Sequence, residues 1–281
     1  NFRRYTYFVS KEQTNRTFID RLSACDFKSL ENVIDAFSVE KVTGEFYTEL
    51  ENWYFWAMDK VKFPDDYLSL FSKGDVTHFS DNKENLKEIS ENELLSNNLI
   101  RLITRIIFIW FLKQKNLINK SFFNEKDLLN IVKDFKKGNN YYNAILQNLF
   151  FATLNQHIES REFIDEGDFD TNKKQYGVNT LFRYRDKFKI SEKEVKELFS
   201  DIPFVNGGLF ECLDREDENG KVIYIDGFSR NPKKQAIIPD NLFFEEEIHY
   251  EDLSKYGLNS KSSVRGLIDI LSCYNFTVDE N

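Results

Sequence analysis

From Asn97 to Lys115 the chain reads NNLIRLITRIIFIWFLKQK, and Leu99, Leu102, Ile103, Ile106, Ile107, Ile109, Trp110 and Phe111 cover most faces of a helix drawn through it. A helix apolar on so many sides belongs in a core. Its longest unbroken apolar run, Ile106 to Leu112, is well short of the roughly 20 residues a bilayer demands. The pattern therefore predicts a core helix and no membrane partner. Val39 to Met58, VEKVTGEFYTELENWYFWAM, repeats Val39, Val42, Phe46, Leu50, Trp53, Tyr54 and Ala57 at three- and four-residue steps, so a second helix with a ring-rich face is expected. That stripe reads as core; a base-stacking platform is the alternative.

Weaker periodicities complete the outline. Thr17 to Arg21 and Leu30 to Phe37 are short amphipathic patterns, and Lys62 to Glu93 is a polar connector that begins where Phe63-Pro64 stops a helix. Asp127 to Phe135 and Tyr141 to Leu154 form a helical pair broken at Lys137-Gly138-Asn139-Asn140. Ser191 followed by Glu194 marks a capped helix start. Asn206-Gly207-Gly208 asks for a tight turn, and Lys221 to Phe228 alternates and reaches Asp-Gly, which predicts a short strand or hairpin. Ser262 to Tyr274 reads as a last helix. The expected fold is mainly α, a multi-helix bundle rich in aromatic residues, with a small irregular or β-hairpin segment near 200–245. Three parts are expected: an N-terminal helical segment and connector over 1–95, a central helical core over 96–200, and a turn-rich segment with the last helix over 201–281.

Composition sharpens this picture. With 28 Phe and 13 Tyr against one Met, the core must be built from rings with specific packing geometry. Only 4 Pro and 11 Gly favour long ordered segments. Cys25, Cys212 and Cys273 form no Cys-x-x-Cys pair, so a reducing compartment is expected and no zinc site. A formal charge of -9 argues against a generic polyanion binder, which needs a basic face. The sequence shows no signal peptide and no initial Met, which suggests a piece of a longer cytoplasmic protein.

Two stretches nonetheless collect cations. From Asn97 to Phe123 there are Arg101, Arg105, Lys113, Lys115 and Lys120 and no acid. They suit either a phosphate-facing edge or long stems that cover apolar surface while their heads reach water. Lys173, Lys174, Arg183, Tyr184, Arg185, Lys187 and Lys189 interleave cations and rings, as nucleic-acid contact requires, with a solvated loop as the other reading. These residues, with Arg101 and Arg105, are the candidate DNA-binding set. Elsewhere the chemistry is thin. Glu194-Val195-Lys196 has the acid-x-Lys half of a nuclease metal site without the rest of one, and the run Asp240, Glu245, Glu246, Glu247, Glu251 and Asp252 beside His249 reads as a solvated face rather than a metal site. No catalytic, cofactor-binding or metal residue is assigned.

Several stretches in order, LIRLITRIIFIWFLKQKNLI, YYNAILQNLFFATLN, DIPFVNGGLFECLD, IDGFSRNPKKQAIIPDNLFF and YNFTVDEN, resemble the central region of bacterial type IIG restriction-modification enzymes. Those are single chains that fuse a restriction endonuclease to an adenine-specific DNA methyltransferase, and related phage-defence methyltransferases carry similar stretches. The likeness runs over about residues 35–281. It implies a helical connector between a preceding nuclease and a following methyltransferase, with double-stranded DNA and those flanking domains as partners. S-adenosylmethionine and Mg2+ would serve the parent enzyme, since neither the glycine-containing cofactor motif nor an Asn-Pro-Pro-aromatic motif occurs here. A scaffold that never meets DNA, and a free-standing metal-dependent nuclease on Glu194 and Lys196, are the competing readings.

Overall fold

The structure is a computed structural model that describes residues 39–64, 85–165, 177–205 and 207–274, with single positions between them. The amphipathic patterns at 17–21 and 30–37 lie essentially outside the described residues, as do Lys173, Lys174 and Asn206. The chain is mainly helical, with two two-stranded antiparallel sheets among the described residues. It divides into two compact units, residues 1–57 with 241–281 and residues 58–240.

The first unit is organised on helix α1, Val39–Met58. Its ring-rich face is interior: Trp53 and Ala57 are fully buried. Trp53 Nε1 donates to the Leu242 carbonyl at 2.6 Å, so the polar end of the ring is satisfied where it is buried. One turn earlier Glu49 grips Arg265 through both carboxylate oxygens, and Tyr274 Oη donates to Glu49 Oε1 at 3.1 Å. Strand β3, His249–Glu251, pairs with β4, Ser262–Val264. The expected helix over 262–274 therefore starts late. Ser262, Ser263 and Val264 are extended, and only Leu267–Cys273 is helical. Gly266 sits at the switch because a Cβ there would lie 2.4 Å from the Phe243 carbonyl oxygen.

The second unit is built on helix α2, Asn85–Gln114. It begins about three turns before the expected start, inside what the sequence suggested was connector. Leu, Lys and Glu are good helix formers, so NLKEISENELL winds although it offers little periodicity. Leu99, Leu102, Ile106, Ile109 and Trp110 face the interior, whereas Ile100, Phe108 and Phe111 are exposed. The helix is thus one-sided. Over Glu91–Gln114 it is long and apolar enough to cross a membrane by length and composition, contrary to the inference from its unbroken run. In this structure its apolar face instead packs within its own unit, with the charged Arg105 among the buried residues.

After α3, Glu125–Ile131, the expected continuation to Phe135 fails, because Val132 turns extended and bridges to Phe188. Residues 140–154 are helical but wound wide, with i→i+5 geometry over Tyr142–Gln147 and Phe150–Leu154. Every side chain from 141 to 154 is buried, including Asn143, Gln147 and Asn148. Helix α4, Glu192–Ser200, carries the anticipated capping box between Ser191 and Glu194. A hairpin lies within the expected 200–245 segment, but it joins β1, Arg215–Glu216, to β2, Val222–Ile223, and turns over Asp217 to Gly220 rather than at the Asp226-Gly227 that the Lys221 to Phe228 pattern leads into. Its turn is closed by Asp217 Oδ1, which accepts from the N–H groups of Asn219 and Lys221, both at 2.9 Å.

Candidate functional site

Arg105 projects from the buried face of α2 into the segment that reads DIPFVNGGLFECLD in the sequence. Its guanidinium uses all three nitrogens: Nε donates to the Leu209 carbonyl at 2.7 Å, Nη2 to the Glu211 carbonyl at 2.8 Å, and Nη1 to Asp226 Oδ1 at 2.9 Å. The other oxygen of Asp226 accepts from the Leu213 N–H at 2.7 Å. A single ion pair therefore ties α2 to two stretches of irregular chain more than a hundred residues away. Planar geometry and permanent charge make arginine the side chain suited to this task.

Asp214 builds the second layer. Its Oδ1 accepts from Ile225, Asp226 and Gly227 N–H groups at 2.6, 2.8 and 3.1 Å, and Oδ2 from Phe228 at 2.7 Å. Burial, and then the neighbouring Asp226, push its carboxyl above the usual range while these four donors pull the other way. Gly227 is required beside it: φ is +68°, and a Cβ would meet the Ala236 nitrogen at 2.6 Å. Gln147 Nε2 donates to the Asp226 carbonyl at 2.9 Å and its oxygen accepts from Tyr184 Oη at 2.8 Å.

The candidate DNA-binding residues separate at this point. Arg105, Arg183 and Tyr184 are interior. Arg183 stacks 4.1 Å over the Phe228 ring and donates to the Val178 carbonyl, while its Nε and Nη1 have no hydrogen-bond partner among the described residues. Tyr184 holds a left-handed backbone, φ 68° and ψ 41°, uncommon for a bulky residue. Its buried hydroxyl, shared between Gln147 and the Gly227 carbonyl at 3.3 Å, helps fix that conformation. These three side chains serve the fold where they stand.

Arg185, Lys187 and Lys189 lie further out. Val132 and Phe188 form an antiparallel bridge, with Lys133 N–H donating to the Lys187 carbonyl at 2.9 Å and Lys189 N–H to the Ile131 carbonyl at 2.8 Å. Because alternate residues point to opposite sides, Val132 and Phe188 go inward and leave exposed Lys133 and Lys189 beside half-buried Lys187. Lys187 Nζ donates to Asn140 Oδ1 at 2.8 Å and Lys189 Nζ to the Leu129 carbonyl at 2.6 Å. Arg185 caps the strip, 4.7 Å over the Phe163 ring and paired with Glu192. Sequence reasoning missed Lys133, since only the bridge brings it to Lys187. Beneath the strip lies Asp240, fully buried rather than on the solvated acidic face the sequence suggested. It accepts from the N–H groups of Lys136 at 3.0 Å and Tyr141 at 2.9 Å, and burial pushes its carboxyl up to about 6.

Arg101, one turn before Arg105, has a different setting. Its Nη1 is 3.8 Å from Asp226 Oδ1, already taken by Arg105, and 3.2 Å from Asn98 Oδ1. It lines a cavity of about 360 Å³ with Leu94, Asn97, Glu211, Cys212, Leu213, Arg215 and Ile225. Glu194 closes back onto Ser191 and Lys196 binds Glu162, so the acid-x-Lys pair is engaged locally. Among the described residues no group of three or more His, Cys, Asp or Glu is placed to hold a metal ion.

No family model matches the chain, and no solved structure matches it either. It is similar to a protein of Methanocaldococcus jannaschii named as a candidate type II restriction enzyme and methyltransferase. The two are 28% identical over 180 residues, which is 61% of this chain and 12% of that much longer protein.

Proposed function

We propose that this chain is the helical connector of a type IIG restriction-modification enzyme, and that it holds duplex DNA through the strip of Lys133, Lys187, Lys189 and Arg185. The observation that carries the reading is the distant likeness to the restriction enzyme and methyltransferase of M. jannaschii, in which the matched stretch is a small part of the whole. The order of stretches in the sequence supports the same class. The connector joins a nuclease to an adenine-specific methyltransferase and sets their spacing on the duplex. S-adenosylmethionine and Mg2+ belong, in this reading, to those neighbouring parts of the enzyme.

Direct contact with DNA is supported by exposed Lys133 and Lys189 and half-buried Lys187, of which Lys187 and Lys189 are held only by the neutral acceptors Asn140 and the Leu129 carbonyl, while Arg185 at the end of the strip is already paired with Glu192. A second reading, a scaffold without DNA contact, draws on the interior placement of Arg105, Arg183 and Tyr184. Duplex affinity measured between 50 and 200 mM salt decides. About three phosphate contacts give a log–log slope near -2.7, a loss of roughly forty-fold over that range. No measurable duplex binding at 50 mM salt would leave the scaffold.

A further inference from the structure

The cavity beside Arg101 has the makings of a ligand site that the connector reading does not use. Its volume, about 360 Å³, falls in the range of small-molecule sites. It lies between α2 and the Glu211–Arg215 stretch, and two cations reach it from different elements. Arg101 comes from the helix and Arg215 from β1.

The charges are unequal to their partners. Asp226 gives its Oδ1 to Arg105 at 2.9 Å and stands 3.8 Å from Arg101, so one carboxylate faces two guanidinium groups. Asn98 steadies Arg101 by a neutral contact at 3.2 Å, which orients the group without cancelling its charge. Arg215 has no ion-pair partner and no side-chain hydrogen bond among the described residues. Two such forks at one cavity suit a group that accepts several hydrogen bonds at once and carries negative charge, and phosphate is that group.

The remaining lining narrows the class. Leu94, Leu213 and Ile225 give an apolar wall large enough for more than a bare anion, whereas Asn97 and Glu211 add polar groups, the second of them an acceptor. An acidic side chain there disfavours a second phosphate and favours a ligand with N–H or O–H donors close to its phosphate. We propose that this cavity binds the phosphate of a single nucleotide unit, with Arg101 and Arg215 on the phosphate and the base or sugar against the Leu94, Leu213 and Ile225 wall. The unit can be a free mononucleotide or one residue of a DNA strand, and the chemistry is the same for both. The proposal does not depend on the lysine strip.

The test uses the whole chain with three probes: adenosine 5′-monophosphate, adenosine, and a short DNA duplex, each titrated calorimetrically against the wild type, Arg215→Glu and Arg101→Gln. Arg215 is exposed, so its replacement leaves the fold intact, and thermal melting verifies this for both variants. The expected result is saturable binding of the monophosphate, at least tenfold weaker in each variant, with adenosine at least tenfold weaker than the monophosphate in the wild type. If the monophosphate does not bind but the duplex does, and the same two variants weaken it tenfold, the site holds with a strand phosphate as its ligand. If neither probe responds to the two substitutions in proteins that melt normally, the proposal is overturned. If the monophosphate does not bind and the duplex, unchanged by these two substitutions, weakens only with Lys133→Glu/Lys189→Glu, the proposal is overturned while the connector reading stays in place.

Discussion

Two sets of cations in the second unit end in opposite situations. Arg105 and Arg183 are buried, the first with every nitrogen matched to an acceptor, the second stacked on Phe228. Lys133 and Lys189 stand at the surface of the bridge between Val132 and Phe188. The difference teaches that a run of bases and rings is not one patch. Arginine can enter a core when carbonyls and a carboxylate wait for it in the right plane, whereas lysine stays out unless its single charged point finds a partner. The interior set holds irregular chain on a helix, and the surface set keeps its charges at the solvent.

The comparison breaks first, if it breaks, at Arg105. Arg105→Leu leaves buried Asp226 with only the more distant Arg101, 3.8 Å away, which costs about 3–5 kcal/mol. Urea unfolding measures this, and a loss under about 1 kcal/mol would mean that the pair does not anchor α2. Adding Asp226→Leu to Arg105→Leu should restore part of the loss, since no unpaired charge then remains.

A smaller effect sharpens the boundary between the two sets, because Asp240 lies under the lysine strip and titrates abnormally. Its folded carboxyl is raised to about 6 from an ordinary value near 3.8. The folded state therefore binds the proton more tightly than the unfolded chain. The stability this contributes is fully present below about pH 4 and is lost as pH rises through 6. A shift of about 2 units corresponds to about 3 kcal/mol. The difference in unfolding free energy between wild type and Asp240→Asn should change by that order between pH 4 and pH 7, in favour of the wild type at the acid end. A flat difference would place Asp240 in water.

Smaller again is Ser191→Ala, which opens the capping box of α4 and should cost about 1 kcal/mol by thermal melting without altering duplex affinity. A change in affinity would couple α4 to the surface set through Glu192, the partner of Arg185.

Much of the fold was legible because it follows from periodicity and turn chemistry. The ring stripe of α1, the capping box at Ser191 and the short strand at Val222 all obey local rules, and all are present. Three features were not legible for a common reason. The extra turns of α2, the extended start at Ser262 and the arrest of α3 at Val132 are each settled by a partner distant in sequence or by the absence of a breaker. The candidate site divided in the same way. Nothing local distinguishes Arg101 from Arg105, since both lie on a helix among apolar residues. Only the arrival of Asp226 and the Leu209 and Glu211 carbonyls makes one of them structural and leaves the other at a cavity. Asp240 looked like the first residue of a solvated acidic run, and two backbone N–H groups a hundred residues earlier took it inside.

The measurement that bears most directly on the account is duplex affinity as a function of salt for Lys133→Glu/Lys189→Glu beside the wild type, with urea unfolding of both. Both side chains are exposed, so stability should change by no more than about 0.5 kcal/mol. Affinity should fall at every duplex sequence, and the salt slope should shrink by about one for each lysine removed. An unchanged slope with unchanged affinity would contradict the account, because the surface set would then be as uninvolved with DNA as the interior one.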